Sequence, residues 1–340
     1  MGGRLGVLVG RDRELSGCDD ALHVALSGRS VTLLVEGEAG IGKTRLVEEL
    51  VDTATRRGAA VRRGSAHPFE RTRPFGAMRD ALDVHRRSTD PRGCAIAALL
   101  AGERGEGAQS GPVPDVRHRV VEEMLDLVDA ACAQSPMVIV LEDLHWADDS
   151  TLLALRAVAC GLTEVPLLVV GTLRPSPRPP GLDQLLDDLG RIGARTVRLG
   201  GLDSTDVDAL ACAGNGAPPG PVLRELLGRA AGNPLWIIEL LHALADEGRL
   251  RDVGGVVEVD DGSLPGSLAE LVVRRLRYLS DDTLGLLETA AVLGDSVSVY
   301  ELAAVSRISS SEVRARLGEA FRALLLVERD DGAAFRHQLV

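Results

Sequence analysis

Residues 37–44 read GEAGIGKT and follow the apolar run VTLLVE at 31–36. The octet fits G-x-x-x-x-G-K-[ST] without a mismatch, a pattern that needs a strand before it and a helix after it. Few folds supply that context. In it the glycines let backbone N–H groups curl around a phosphate, and the helix N-terminus adds its partial positive charge. The candidate cradle is therefore Gly37, Glu38, Ala39, Gly40, Ile41, Gly42, Lys43 and Thr44, with Arg45 just beyond. Lys43 would reach the β and γ oxygens of a nucleotide, and Thr44 would help to hold Mg²⁺. Lys43 is also the only lysine among 38 basic residues, the other 37 being arginines. A compact ammonium in an otherwise all-guanidinium chain marks a place where a point charge is required.

A phosphate-bound Mg²⁺ is usually met by a carboxylate at the tip of a nearby strand. MVIVL at 137–141 is the most strand-like stretch of the chain, and it runs straight into Glu142 and Asp143. One of the two would orient the metal and the other would polarise an attacking water. Arg174 directly follows the strand LLVVGT and could project from the same sheet edge toward a γ-phosphate; the plainer reading is a surface arginine opening a proline-rich loop. Gly232-Asn233-Pro234 reads on its own as a helix cap with proline at the first helical position. His337 on its own reads as structural. Arg274, Arg275 and Arg277, and the pairs Arg56-Arg57 and Arg62-Arg63, read as solvated helix and strand faces.

Strand patterns at 31–36, 59–64, 137–141, 167–172 and 195–199 alternate with helical ones at 43–57, 115–134 and 150–160. That alternation calls for an α/β domain, a parallel sheet with helices on both faces. The segment 59–64 lies between the two phosphate motifs, which favours the class of nucleotide-binding sheets with an extra strand inserted between them. Aromatic residues are only 2% of the chain, so aliphatic side chains must build the core. After Gly200 helical patterns dominate, at 203–213, 221–231, 234–247, 265–279, 281–293 and 309–323, with hairpins expected at 249–259 and 325–337. Helices ending in a hairpin suggest a winged helix. The expected division is an α/β P-loop core domain at 1–200, a helical subdomain at 201–264 and a winged-helix-like part at 265–340.

Charge limits the partners. Residues 1–110 hold 17 basic and 15 acidic residues, whereas 111–340 hold 21 and 35, so the larger part would repel a phosphate backbone. No apolar run approaches the roughly 20 residues that span a bilayer, and no signal peptide is evident, so a cytoplasmic location with no membrane partner is expected. The five cysteines are widely spaced and never form CxxC. They read as small buried hydrophobes rather than zinc ligands or disulfides.

LVGRDREL (8–15), GEAGIGKTRL (37–46), VIVLEDLHWAD (138–148), VVGTLRP (169–175), GNPLWIIELL (232–241) and FRHQLV (335–340) together resemble the nucleotide-binding module of large LuxR/MalT-type transcriptional regulators. Those belong to the STAND signal-transduction ATPases, relatives of the AAA+ proteins. The resemblance implies a P-loop NTPase core, a helical lid and a winged helix that close on ADP. Exchange for ATP, aided by an inducer bound through a region outside this chain, would open the module and allow self-association, with slow ATP hydrolysis resetting it. By position it implies Val9 and Arg11 near the adenine or ribose, Gly37 to Thr44 at the phosphates, Glu142 and Asp143 at Mg²⁺, and Arg174 as γ-phosphate sensor. Pro234 would pack on adenine, and His337 would reach the β-phosphate. Glu142 stands where many relatives carry Asp. Full-length relatives continue into a helical-repeat sensor and a DNA-binding domain, so a fragment with no direct DNA contact of its own is expected. The rival readings are a metabolic P-loop kinase or hydrolase, which needs an acceptor pocket with a general base, and an ATP-dependent initiator of the Cdc6 type, which needs a basic winged-helix face.

Overall fold

The computed structural model describes residues 8–67, 73–102, 114–176, 178–266, 279–294, 296–322, 325–329 and 332–335. The chain divides into two compact units. One is formed by Arg11–Glu38 with Lys43–Leu199; the other joins the segment ending at Gly10 and Ala39–Gly42 to Gly200–Val340.

The first unit is built on five strands: β1 (Val31–Gly37), β2 (Ala60–Ser65), β3 (Met137–Glu142), β4 (Leu167–Leu173) and β5 (Arg195–Leu199). They form one parallel sheet in the order β2-β3-β4-β1-β5. A parallel sheet needs both faces covered, which is why its central strands read as unbroken apolar runs. Every residue of β4 is buried, and so are the first five of β3. The cover comes from α1 (Asp12–Leu26), α2 (Lys43–Arg56), α3 (Gly76–Ala81), α4 (Pro91–Gly102), α5 (Pro114–Cys132), α6 (Asp149–Gly161) and α7 (Pro180–Arg191). The fold is that of a P-loop NTPase.

Two details differ from the sequence reading. An extra strand does separate β1 from β3, as expected, but it is β4; the segment 60–65 lies between the phosphate motifs along the chain only and forms the outer strand β2. Sequence order says nothing about lateral pairing, so the inserted strand could not be chosen from it. No element is expected from sequence at 12–26, yet α1 buries Cys18, Ala21, Leu22 and Ala25. Their spacing is helical, but cysteine and alanine give a weak apolar signal.

In the second unit, α8 (Ser204–Asn215), α9 (Pro221–Gly228) and α10 (Pro234–Asp246) enclose Leu223, Leu226, Ile237 and Leu240, with the antiparallel pair β6 (Arg251–Val253) and β7 (Val256–Glu258) alongside. A separate apolar cluster gathers α11 (Asp281–Leu293), β8 (Ser296–Ser298), α12 (Val299–Ser306), α13 (Ser310–Arg322), β9 (Leu326–Arg329) and β10 (Gly332–Phe335). Its three strands pair antiparallel in the order β8-β10-β9, giving the helix, strand, helix, helix, hairpin succession of a winged helix. The expected terminal hairpin is present; β8 is too short to show a period in sequence. Much of the expected helix at 265–279, with Arg274, Arg275 and Arg277, lies outside the described residues.

The cysteines need a correction. Only Cys18 and Cys132 are buried, while Cys94 and Cys212 are half-buried and Cys160 is exposed on α6. Burial pushes the Cys18 and Cys132 thiols up to about 11, with Glu14 and Asp19 adding to the first and Asp129 to the second.

Candidate nucleotide site

β1 stops at Gly37 and α2 begins at Lys43, leaving five residues to turn from a strand into a helix. Gly40 and Gly42 take φ of +75° and +103°, where an L side chain is strained. Lys43 is only 8% exposed, and its ammonium donates to the carbonyls of Gly37 at 2.8 Å and Glu38 at 2.9 Å. A buried ammonium tied to main-chain carbonyls at the loop mouth is held in place before any phosphate arrives. Thr44 is the next residue of α2, and its hydroxyl donates to Glu142 Oε2 at 3.3 Å across a separation of 98 residues. The two motifs therefore meet although β4 runs between their strands.

Asp143 follows β3 in the left-handed region, with φ of 57° and ψ of 45°. Such a backbone costs an aspartate little but still needs support. Thr172 supplies it. Its hydroxyl, buried in β4, accepts the Asp143 N–H at 2.9 Å. Two residues on, Arg174 is half-buried, and its Nε is buried without a hydrogen-bond partner among the described residues. Burial lowers the pKa of that guanidinium from its ordinary value, and the charges of Asp143 and Glu38 oppose the shift. Arginine keeps its charge under such conditions, so the end of β4 carries a cation favoured by the charges of Asp143 and Glu38, with a buried donor left unused. Glu36, near the end of β1, pairs with Arg178 and, at 3.2 Å, with Arg198, while Arg178 Nε donates to the Arg174 carbonyl at 3.1 Å. These bonds tie the segment that follows Arg174 back to β1.

The remaining sequence candidates fall differently. Arg45 spends its guanidinium on Glu48 and Glu49 of its own helix, at 3.3 and 2.5 Å. Arg11 is 5% exposed and pairs with Glu14 at 3.1 Å in the first unit, whereas Val9 packs on the apolar cluster of the second. Pro234 opens α10 directly after its cap, Asn233. His337 lies outside the described residues. Sequence reasoning missed Thr172; a polar residue near the end of an otherwise apolar strand, LLVVGTL, was its signal.

The residues present suit a nucleoside polyphosphate with Mg²⁺. The cradle has its left-handed glycines, the ammonium is buried, and Arg174 keeps an unbonded donor. Among the described residues no group of three or more His, Cys, Asp and Glu is arranged to hold a metal. Magnesium is commonly held by one or two protein oxygens with phosphate oxygens completing the shell, which Thr44 with Glu142 or Asp143 would satisfy.

Residues 7–170 match the AAA ATPase domain. The matched stretch contains the loop Gly37–Thr44 and the acidic strand tip Glu142–Asp143, and stops short of Thr172 and Arg174. An uncharacterized protein of Rhizobium meliloti (strain 1021), R02095, is 29% identical over 201 residues. The aligned stretch is 51% of this chain and 19% of that protein, so the chain spans about a fifth of the curated relative it matches. Among solved structures, the ORC2 protein of Aeropyrum pernix in ADPNP-ADP complexes is similar at TM-score 0.53 and 14% identity, covering 99% of this chain and 93% of that one. That likeness is one of fold. A STAND protein with a tetratricopeptide repeat sensor from Pyrococcus horikoshii aligns with 98% of this chain and 41% of its own, at 16% identity and TM-score 0.40. No helix among the described residues is long and apolar enough to cross a membrane.

Proposed function

We propose that this AAA ATPase domain works as an adenine-nucleotide switch within a LuxR/MalT-type signal-transduction regulator, hydrolysing ATP slowly to return to an ADP-bound resting state. The observation that carries the reading is the buried Lys43 ammonium in a complete GEAGIGKT loop, with Thr44 bonded to Glu142. In this reading Lys43 neutralises the β and γ oxygens and Arg174 donates its free N–H to the γ-phosphate. Whichever of Glu142 and Asp143 does not hold the metal orients the water that attacks the γ-phosphorus and takes up its proton, the bond from the γ-phosphorus to the β–γ bridging oxygen breaks, and ADP and phosphate leave. Bound Mg²⁺ supplies Lewis-acid stabilisation of the phosphate charge, held by Thr44 with Glu142 or Asp143. Val9, Arg11 and Pro234 are assigned to the adenosine moiety and His337 to the β-phosphate. The working division is a core to residue 200, a helical lid at 201–264 and a winged-helix part at 265–340. A nucleotide can drive such a switch only through a difference in affinity between two arrangements.

Lys43→Ala is expected to abolish ADP and ATP binding in calorimetry while far-ultraviolet circular dichroism stays unchanged; undiminished binding would remove the assignment. Replacing ADP by a non-hydrolysable ATP analogue is expected to raise the mass in solution by self-association, read by light scattering. A second reading, an ATP-dependent DNA-binding initiator, is favoured by the winged-helix order of residues 281–335 and opposed by the acidic balance of residues 111–340.

A further inference from the structure

In the unit that contains both Ala39–Gly42 and Gly200–Val340, the start of α10 is bonded to the phosphate loop. Asn233 is 3% exposed. Its Oδ1 accepts the Leu235 N–H at 3.1 Å, which is the helix cap that the sequence suggests. Capping uses only that oxygen. The amide's other end does something a cap does not require: Nδ2 donates to the Ala39 carbonyl at 3.0 Å. The Leu235 N–H is shared, donating also to the Gly40 carbonyl at 3.2 Å. Flipping the amide would set oxygen against the Ala39 oxygen and nitrogen against the Leu235 N–H, so the bonding network allows one orientation. The approach is close enough that a Cβ on Gly40 would lie 2.7 Å from Leu235 Cβ and 3.0 Å from Asn233 Oδ1.

A trans peptide is planar, and its C=O and the following N–H point in opposite directions. Holding the Ala39 carbonyl toward Asn233 therefore turns the Gly40 N–H away from it, and holding the Gly40 carbonyl toward Leu235 does the same to the Ile41 N–H. Those N–H groups are what a glycine-lined loop offers to phosphate. We infer that Asn233 is a positioning residue of the phosphate loop: its amide fixes the two peptide planes that aim the Gly40 and Ile41 N–H groups at a bound polyphosphate. The inference rests on nucleotide binding at this loop and adds a residue that recognises main chain rather than ligand.

Two substitutions separate this role from capping. Asn233→Ser remains a good cap, is neutral, and is too short to reach Ala39; Asn233→Asp keeps the capping oxygen and loses the donor. Both are expected to stay folded, with the thermal midpoint of the nucleotide-free protein lowered slightly in Asn233→Ser and further in Asn233→Asp, which sets a carboxylate against the Ala39 carbonyl. Both are expected to bind ADP and ATP about fivefold to tenfold more weakly in calorimetry, the scale of one lost hydrogen bond. Amide hydrogen exchange over residues 39–42 is expected to quicken in both without change elsewhere in α10. If the wild type binds and both variants bind equally well with unchanged exchange, the positioning role is overturned while the nucleotide reading stands. If the wild type binds neither nucleotide, both fall together.

Discussion

Thr172 and Lys43 differ in how far a sequence can announce them. Lys43 is legible because its whole context is local: the seven other residues of the octet, a strand before and a helix after. Thr172 acts on the backbone of a residue 29 positions earlier, through a bond that exists only once β3 and β4 lie side by side. Thr172→Val keeps the shape and removes the acceptor, leaving the Asp143 N–H unpaired in a left-handed turn. It is expected to destabilise the protein by about 1–2 kcal/mol in urea denaturation and to lower ATP turnover more than ATP affinity, whereas Thr172→Ser keeps both near wild type. A residue such as Asp148 is misleading in the other direction. It belongs to the recognisable LEDLHWAD run, yet its carboxylate caps α6 through Ser150 and Thr151 and also accepts the N–H groups of Phe75 and Gly76 at the start of α3.

Among elements, the strands with continuous apolar runs and the helices with strong periodicity were readable, because burial on two faces or on one stripe leaves a direct imprint. Short elements were not: β8 has three residues, and α3 is held by contacts from Asp148 rather than by any pattern of its own. The start of α9 shows the same dependence on distant partners. It has no side-chain cap at Gly220; instead Glu258 of β7 accepts the N–H groups of Val222 at 3.2 Å and Leu223 at 2.7 Å. Burial would raise the Glu258 pKa, but the N–H groups of Leu223, Val259 and Val222, with Arg224 nearby, outweigh it and hold the carboxyl below its ordinary 4.5. A carboxyl whose native pKa is depressed stabilises the fold above its unfolded pKa and stops doing so as pH falls through the native one. Glu258→Gln is therefore expected to cost about 0.5–1 kcal/mol at neutral pH. The difference from wild type should begin to shrink near pH 4.5 and vanish only once the pH is below the depressed native pKa, as thermal midpoints are followed downward.

At the scale of the whole chain, charge was legible from counting and strand order was not. The excess of acidic residues beyond position 110 predicts that the protein, with or without nucleotide, shows no salt-dependent binding to duplex DNA in fluorescence anisotropy at 0.1 M salt; binding that weakens steeply as salt rises would favour the initiator reading. The lateral order β2-β3-β4-β1-β5 has a different kind of consequence. Three adjacent parallel strands, with their central residues buried, end at Glu38, Glu142 and Arg174 or immediately before them, and a slip of one residue between any two would force the close-packed side chains on both faces to repack. Spacing among those charged groups is thus as invariant as the sheet itself. Whatever responds when a third phosphate is gained or lost must be sought in loops and helices, with the strands serving as the unmoving scale against which that response is measured.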